Sequence, residues 1–493
     1  MAKEKIGSQW KTLDKDLNRI SQVEYAAQYV ARPLVGMGVA LAFIVVAALG
    51  AAVFFGQNPT SLIVVTAAAF GAYMALNIGA NDVANNMGPA VGANALTMTG
   101  AIIIAVIFES AGALLAGGDV VSTISKGIID PSGFAQPRTF IWAMMAALIS
   151  SALWVNLATW IGAPVSTTHS VVGGVMGAGI AAAGFAAVNW PTMGTIAASW
   201  IISPVLGGAI AALFLAFIKH QIIYQDDKIA AAKRWVPVLI AIMAGAFGAY
   251  LALKGLKRII KIDLGTALLI GAAVAAIFYV VSAPLIARQA QGLENRTKSL
   301  KTLFGLPLIF SAALLSFAHG ANDVANAVGP LAAIVHVESF GDFAAKVSIP
   351  TWVMVIGAFG ISFGLVLFGP KLIRMVGSQI TKLNPMRAYC VALSAAITVI
   401  IASWLGLPVS STHIAVGGVF GVGFYREFHM ERRLRRTSAA RPQVKRIAPE
   451  ERRRRKLVRR SHFMTIVAAW VITVPAAALM SAVIFYLLNT IVA

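Results

Sequence analysis

Apolar stretches long enough to cross a hydrocarbon layer of roughly 30 Å recur along the whole chain. They fall near residues 33–55, 61–93, 99–116, 139–160, 165–183, 194–218, 235–254, 264–287, 303–335, 348–368, 386–405, 409–425 and 463–490. This pattern predicts an all-α integral membrane protein with about 12–13 transmembrane helices. The stretches 61–93 and 303–335 are too long for one straight helix. Each contains Gly-Ala-Asn-Asp, where a break near the midplane is expected because glycine permits it and Asn and Asp favour turns. Pro89 and Pro330 mark a second expected interruption.

Composition agrees with this reading. Of 493 residues, 58% are hydrophobic and 12% charged, about half the charge of a soluble domain. Soluble enzymes, disordered chains and disulfide scaffolds are poor fits. Cys390 is the only cysteine, which excludes an intrachain disulfide and a cysteine-based metal site. The first 30 residues lack an apolar core, so no cleavable secretory signal is expected. The net charge of +21 raises nucleic acid as a partner, but the placement of the charges argues against it. With the N-terminus in the cytoplasm, the connecting segments assign 33 Lys and Arg inside and 7 outside. This is the positive-inside pattern, with Lys254, Lys257, Arg258 and Lys261 as the dissenting cluster. The expected location is the plasma (inner) membrane, with the C-terminus extracytoplasmic. Residues 10–30 place Trp10, Leu13, Leu17 and Ile20 on one helical face, suited to the membrane surface or to packing on the protein.

A duplication organises the chain. Residues 79–89 read GANDVANNMGP and residues 320–330 read GANDVANAVGP; residues 164–175 read PVSTTHSVVGGV and residues 408–419 read PVSSTHIAVGGV. Trp160 and Trp404 keep the spacing of the second pair. Corresponding loops differ in charge. The segment 184–194 has no charged residue, whereas 426–460 carries 15 Lys and Arg; 117–138 has two basic and two acidic residues, whereas 369–387 has four basic and none acidic. Corresponding loops therefore sit on opposite sides, which defines two inverted-topology repeats, a transporter architecture. The expected division is an N-terminal cytoplasmic segment 1–32, an extra helix 33–60, a first repeat 61–218, linking helices 219–302 and a second repeat 303–493 that includes the Arg-rich loop 426–460.

Ionisable residues at membrane depth mark ion or substrate paths. Here they are Asp82, Asp323, Glu109, His169, His319 and His413. In GANDVAN, carboxylate, amide and carbonyl oxygens make a hard-cation site or a polar lining. In PVS[ST]TH, Pro164 or Pro408 can begin a helix whose first turn carries hydroxyls. Free N–H groups, hydroxyls and the positive end of the dipole then form an anion site with no cationic side chain. His169 and His413 fit buried hydrogen-bonding roles as well. His319 has Ile78 as its repeat mate and falls outside the symmetric set. Glu109 matches Ile361 and has no Lys or Arg in any span to pair with.

GANDVAN and PVS[ST]TH, each present twice, resemble the inorganic phosphate transporter family over roughly residues 61–490. The stretch IFESAGALLAGG around Glu109 is similar too. The resemblance implies symport of inorganic phosphate with Na⁺ or H⁺. It places the phosphate site on Asp82, Asn85, Ser166, Thr167, Thr168, Asp323, Asn326, Ser410, Ser411 and Thr412. Cation or proton coupling falls to Asn81, Asp82, Glu109, Asn322 and Asp323. The chain looks like the bacterial low-affinity members that couple to H⁺, with free phosphate or a metal–phosphate complex as cargo; Na⁺ coupling and a sulfate permease are the alternatives. No glutamate stands at Ile361. The partners expected are phosphate and membrane lipid, and a homodimer is one assembly the sequence leaves open. No ATP-binding motif is present, so secondary transport without a cofactor is expected. An enzyme built on the two aspartates, or on Ser166 and His169, does not need two inverted copies of each motif. A passive channel would differ in showing no dependence on an ion gradient.

Overall fold

The computed structural model describes residues 34–55, 61–161, 165–255, 262–341, 349–375, 383–440 and 460–492. The segment 10–30, Pro164, Lys257, Arg258, Lys261 and most of the Arg-rich loop lie outside the described residues. The elements are α1 (Leu34–Phe55), α2 (Ser61–Asn81), α3 (Val83–Gly92), α4 (Met98–Ala116), α5 (Gly118–Lys126), α6 (Pro137–Ile161), α7 (Thr167–Ala183), α8 (Trp190–Ile218), α9 (Lys228–Lys254), α10 (Leu264–Gln289), α11 (Leu300–Leu303), α12 (Gly305–Phe340), α13 (Thr351–Met375), α14 (Pro385–Trp404), α15 (Ser411–Ala440) and α16 (Arg460–Val492). Among the described residues there is no strand, and one isolated antiparallel bridge joins Ile129 to Val188. Among the described residues, eleven helices are long and apolar enough to cross a membrane. The two remaining apolar stretches are α7 and the start of α15, the second arms of two hairpins.

The expected breaks at Gly-Ala-Asn-Asp are largely absent. α12 runs unbroken from Gly305 to Phe340, with Pro330 inside it. In the first copy the interruption is the single residue Asp82, whose backbone stays near helical values. The glycines serve close approach instead. A Cβ on Gly79 would lie 1.9 Å from the Ile361 carbonyl oxygen, and one on Gly320 would lie 2.1 Å from that of Glu109. The prolines do not end the helices either, since Pro89 lies inside α3. Each still lacks an N–H, so the carbonyls of Asn85 and Asn326 lose their usual donors four residues on.

These glycine contacts show how the halves fit. Gly360 meets Ala72 and Ala75, and Gly364 meets Leu76. The contacts advance together, so α2 and α13 run parallel. Gly112 meets Phe317 and Ala321, and Gly117 meets Val324, so α4 and α12 run parallel too. The short turn 93–97 sends α4 back against α3, which continues the line of α2. α12 therefore runs opposite to α2, its repeat mate, as inverted topology requires. Ser110 and Ser362, repeat mates, meet Oγ to Oγ at 2.7 Å, which places them on the pseudo-two-fold axis.

The helices that follow the hairpins are exchanged between halves. α8 follows α7 in the chain but packs on α15, and α16 packs on α7. Glycines permit both contacts: Gly177 against Ala478 and Gly421 against Gly208. Backbone bonds from Asp130 to Ala187 and from Asn189 to Ile128 tie the far end of α7 to the loop after α5. Cysteines introduced near residue 188, at the exposed Phe185, and near residue 440 are therefore expected to be labelled from opposite sides of the membrane. Labelling from the same side overturns the inverted arrangement.

Candidate functional site

The tips of the two hairpins meet the middle of α2–α3 and α12. Ser166 caps α7, its Oγ accepting from the His169 N–H at 3.1 Å. Ser410 does the same for His413 at 3.3 Å. The helix starts thus lie at Thr167 and Ser411, and Pro408 stands three residues earlier. Capping by serine satisfies one free N–H and leaves the next hydroxyls pointing across the interface.

Those hydroxyls converge on the aspartates from both halves. Thr167 Oγ1 donates to Asp82 Oδ2 at 2.7 Å, and Thr412 Oγ1 donates to Asp82 Oδ1 at 3.2 Å. Ser411 Oγ donates to Asp323 Oδ2 at 3.4 Å. Asn85 Nδ2 donates to Thr412 Oγ1 at 2.8 Å, and Asn326 Nδ2 lies 3.3 and 3.2 Å from the hydroxyls of Thr167 and Thr168. Thr168 Oγ1 also donates to the Val409 carbonyl. Of the ten residues expected to bind phosphate, all but Asn85 are buried, so this is a closed site.

Asn81 and Asn322 are not part of the convergence. Asn81 Nδ2 donates to Thr159 Oγ1 at 2.9 Å, and Asn322 Nδ2 donates to Ser403 Oγ at 2.9 Å. These are repeat-equivalent bonds onto the first hairpin arms, and Asn322 Oδ1 also accepts from the Val409 N–H. Asn322 braces the second tip, and Asn81 holds the first hairpin arm. His169 and His413 sit one turn behind the tips with ring centroids 4.5 Å apart, edge to face, and Trp200 lies 3.9 Å from His169.

Glu109 does have a basic partner. His319 Nδ1 lies 3.3 Å from Glu109 Oε1, and His319 Nε2 lies 3.0 Å from Asp323 Oδ2. Asn86 Nδ2 donates to the same Glu109 oxygen at 2.9 Å. The expectation that His319 stands apart was based on its lack of a symmetry mate. One turn of α12 separates it from Asp323, however, and that spacing puts both on one face. Asp82, His319 and Asp323 each offer an atom within 4.8 Å of the others, close enough to share one cation. Glu109 Oε2, Asp323 Oδ1 and Asn326 Oδ1 are buried acceptors with no hydrogen-bond partner. Buried carboxylate oxygens of this kind need a proton or a cation.

The closed cluster lies at the interface of two inverted halves and carries hydroxyl donors and acids, with no Lys or Arg in its contacts among the described residues. The comparisons give the family. Residues 78–481 match the model of the phosphate transporter family. A protein of Helicobacter pylori named "Putative phosphate permease" is 50% identical over 434 residues, covering 87% of this chain and 81% of that protein. A protein of the same description in Pyrococcus abyssi is 37% identical, covering 85% and 96%. Among solved structures, "The sodium-dependent phosphate transporter" aligns with a TM-score of 0.78 at 35% identity, covering 87% of this chain and all of that one. The chain belongs to the phosphate transporter family, as a multi-pass membrane protein.

Proposed function

We propose that the chain is a secondary symporter that moves inorganic phosphate across the plasma membrane coupled to H⁺. The observation that carries this reading is His319 wedged between Glu109 and Asp323. A titratable base, and no fixed cation, compensates the buried acids, so protons can be exchanged there. The phosphate site is formed by the hydroxyls of Ser166, Thr167, Thr168, Ser410, Ser411 and Thr412, the amides of Asn85 and Asn326, and the positive ends of α7 and α15.

Coupling follows from hydrogen-bond bookkeeping. A hydroxyl has one proton to donate. Thr167 and Thr412 both spend theirs on Asp82, so neither can donate to phosphate. Neutralising Asp82 with a proton or a cation releases both donors and removes a negative charge facing the anion. Phosphate and cation thus bind together.

Na⁺ coupling is the second reading. The unpartnered Asp323 Oδ1 and Asn326 Oδ1 and the freed carbonyls of Asn85 and Asn326 suit a hard cation, and the solved relative is described as sodium-dependent. The deciding experiment is phosphate uptake into proteoliposomes with pH and Na⁺ gradients imposed separately. Uptake driven by pH alone is expected; uptake driven by Na⁺ alone overturns H⁺ coupling. Repeating it with Mg²⁺ varied separates free phosphate from a metal–phosphate complex, and competition by sulfate tests a sulfate permease. Labelling accessible to cytoplasmic reagent at the N-terminus and to external reagent at the C-terminus checks the orientation.

The hydroxyl role has its own check. Ser166, Thr167, Ser410 or Ser411 replaced singly by Ala is expected to weaken phosphate binding about 10- to 150-fold, the loss of one hydrogen bond to a charged group. Wild-type binding in all four folded variants overturns the anion site.

A further inference from the structure

Away from the central site, three cations gather where the C-terminal end of α8 and the N-terminal end of α14 meet the middle of α15. Lys219 opens a π-helical turn, Lys219–Ile223, that continues α8. Arg387 lies in the first turn of α14, where the Asn384 side chain accepts from its N–H. Arg426 lies on α15. Arg387 and Arg426 both act electrostatically on Lys219, and Arg426 acts on Arg387. All three are half-buried. None makes an ion pair among the described residues, although Glu427 is adjacent in sequence. Arg387, at a helix N-terminus, opposes the α14 dipole, and the three like charges stand together with no acidic side chain paired to them among the described residues.

An apolar groove begins beside this cluster. It has a volume of about 720 Å³ and runs between α8 and α15 over Pro204, Gly208, Gly417 and Gly421, with Phe424 and Phe428 along its rim. The glycine seam makes its floor, because α8 and α15 touch backbone to backbone there. From Val416 to Phe428 the groove follows α15 for about 18 Å, close to the depth of one leaflet, half of the roughly 30 Å core. Tyr425 joins the two features. It lines the groove, and the Lys219 ammonium sits 4.9 Å from its ring centroid.

We propose that this is a binding site for one anionic phospholipid of the adjacent leaflet, with its phosphate on Lys219, Arg387 and Arg426 and an acyl chain along the α8–α15 groove. A lipid matches both halves at once, whereas free phosphate would leave the groove unused. Three like charges at a membrane surface attract anionic headgroups, and the groove supplies the depth that a chain requires.

The test uses the full chain in neutral detergent, with added phosphatidylglycerol, phosphatidylcholine or inorganic phosphate. Bound lipid is read by native mass spectrometry and stability by thermal unfolding. Phosphatidylglycerol is expected to bind and stabilise, and phosphatidylcholine to do neither. The double variant Arg387→Gln/Arg426→Gln is expected to lose at least roughly tenfold in affinity for phosphatidylglycerol. Ala212→Trp, which fills the groove without touching the cations, should weaken binding as well. Equal binding of phosphatidylcholine, full stabilisation by inorganic phosphate alone, or unchanged phosphatidylglycerol affinity in both folded variants overturns the proposal. A change of oligomeric state in Ala212→Trp with phosphatidylglycerol affinity intact assigns the groove to a second copy and overturns it too.

Discussion

Glu109→Gln is expected to abolish phosphate accumulation driven by an imposed pH gradient while phosphate exchange across the membrane continues. One pH unit is worth about 1.36 kcal/mol per proton, so a coupled carrier can concentrate its cargo roughly tenfold per proton and per unit. An uncoupled one only equalises the phosphate species it carries, so each variant is compared with wild type at the same pH difference. On the proposed reading, exchange needs the anion site, which does not include the Glu109 side chain. Accumulation needs a group that takes a proton at one face and gives it up at the other. Glu109 Oε1 holds both Asn86 and His319, and its second oxygen is buried without a partner. Gln keeps the shape but cannot carry the proton. His319→Gln is expected to have the same effect, because it removes the bridge to Asp323. The measurement is counterflow and gradient-driven uptake in the same proteoliposomes. Wild-type accumulation ratios in folded Glu109→Gln protein would assign the residue to packing and route the proton elsewhere.

Much of this arrangement was legible in the sequence, because duplication makes a signal that single motifs lack. Asp82 and Asp323, with Ser166 and Ser410, were identifiable from their repeated context, and all four lie at the meeting of the halves. Loop charge gave the inversion, and the parallel packing of α2 with α13 and of α4 with α12 bears it out. Residues whose role depends on partners far along the chain were less legible. Gly79 and Gly320 read locally as helix breakers, yet each accommodates a backbone some 200 residues or more distant in sequence. The resemblance assigned Asn81 and Asn322 to cation coupling; in the structure their amides bond Thr159 and Ser403. His319 was visible as an intramembrane base. Its link to Glu109 was not, since symmetry was the guide and neither residue has a symmetric mate. The spacing of His319 and Asp323 was the available signal.

Asp82→Asn is expected to make phosphate binding largely independent of the coupling cation. Asp82 is the acceptor for hydroxyls from both hairpin tips, Thr167 from the first half and Thr412 from the second. In the wild type those donors reach phosphate only once the carboxylate is neutralised. Asn resembles that neutral state, because its oxygen accepts more weakly and its charge is gone. Two like charges a few ångströms apart in a buried site repel by several kcal/mol, and each released donor to a charged ligand contributes about 1.5–3 kcal/mol. Phosphate affinity of the wild type should therefore fall about 10- to 150-fold or more when the cation is withdrawn, and that of Asp82→Asn should change little. Asp323→Asn should retain more of the dependence: it accepts a single hydroxyl, Ser411 at 3.4 Å, and His319 already stands at its other side. Binding is measured in detergent with pH and Na⁺ varied one at a time, and each variant is compared with wild type under the same conditions so that the titration of phosphate itself cancels. If wild type binds phosphate equally well across both series, the hydroxyls are free from the start and Asp82 does not link the two ligands. If Asp323→Asn loses the dependence and Asp82→Asn keeps it, the link runs through α12 and the His319 bridge instead of through the hairpin tips.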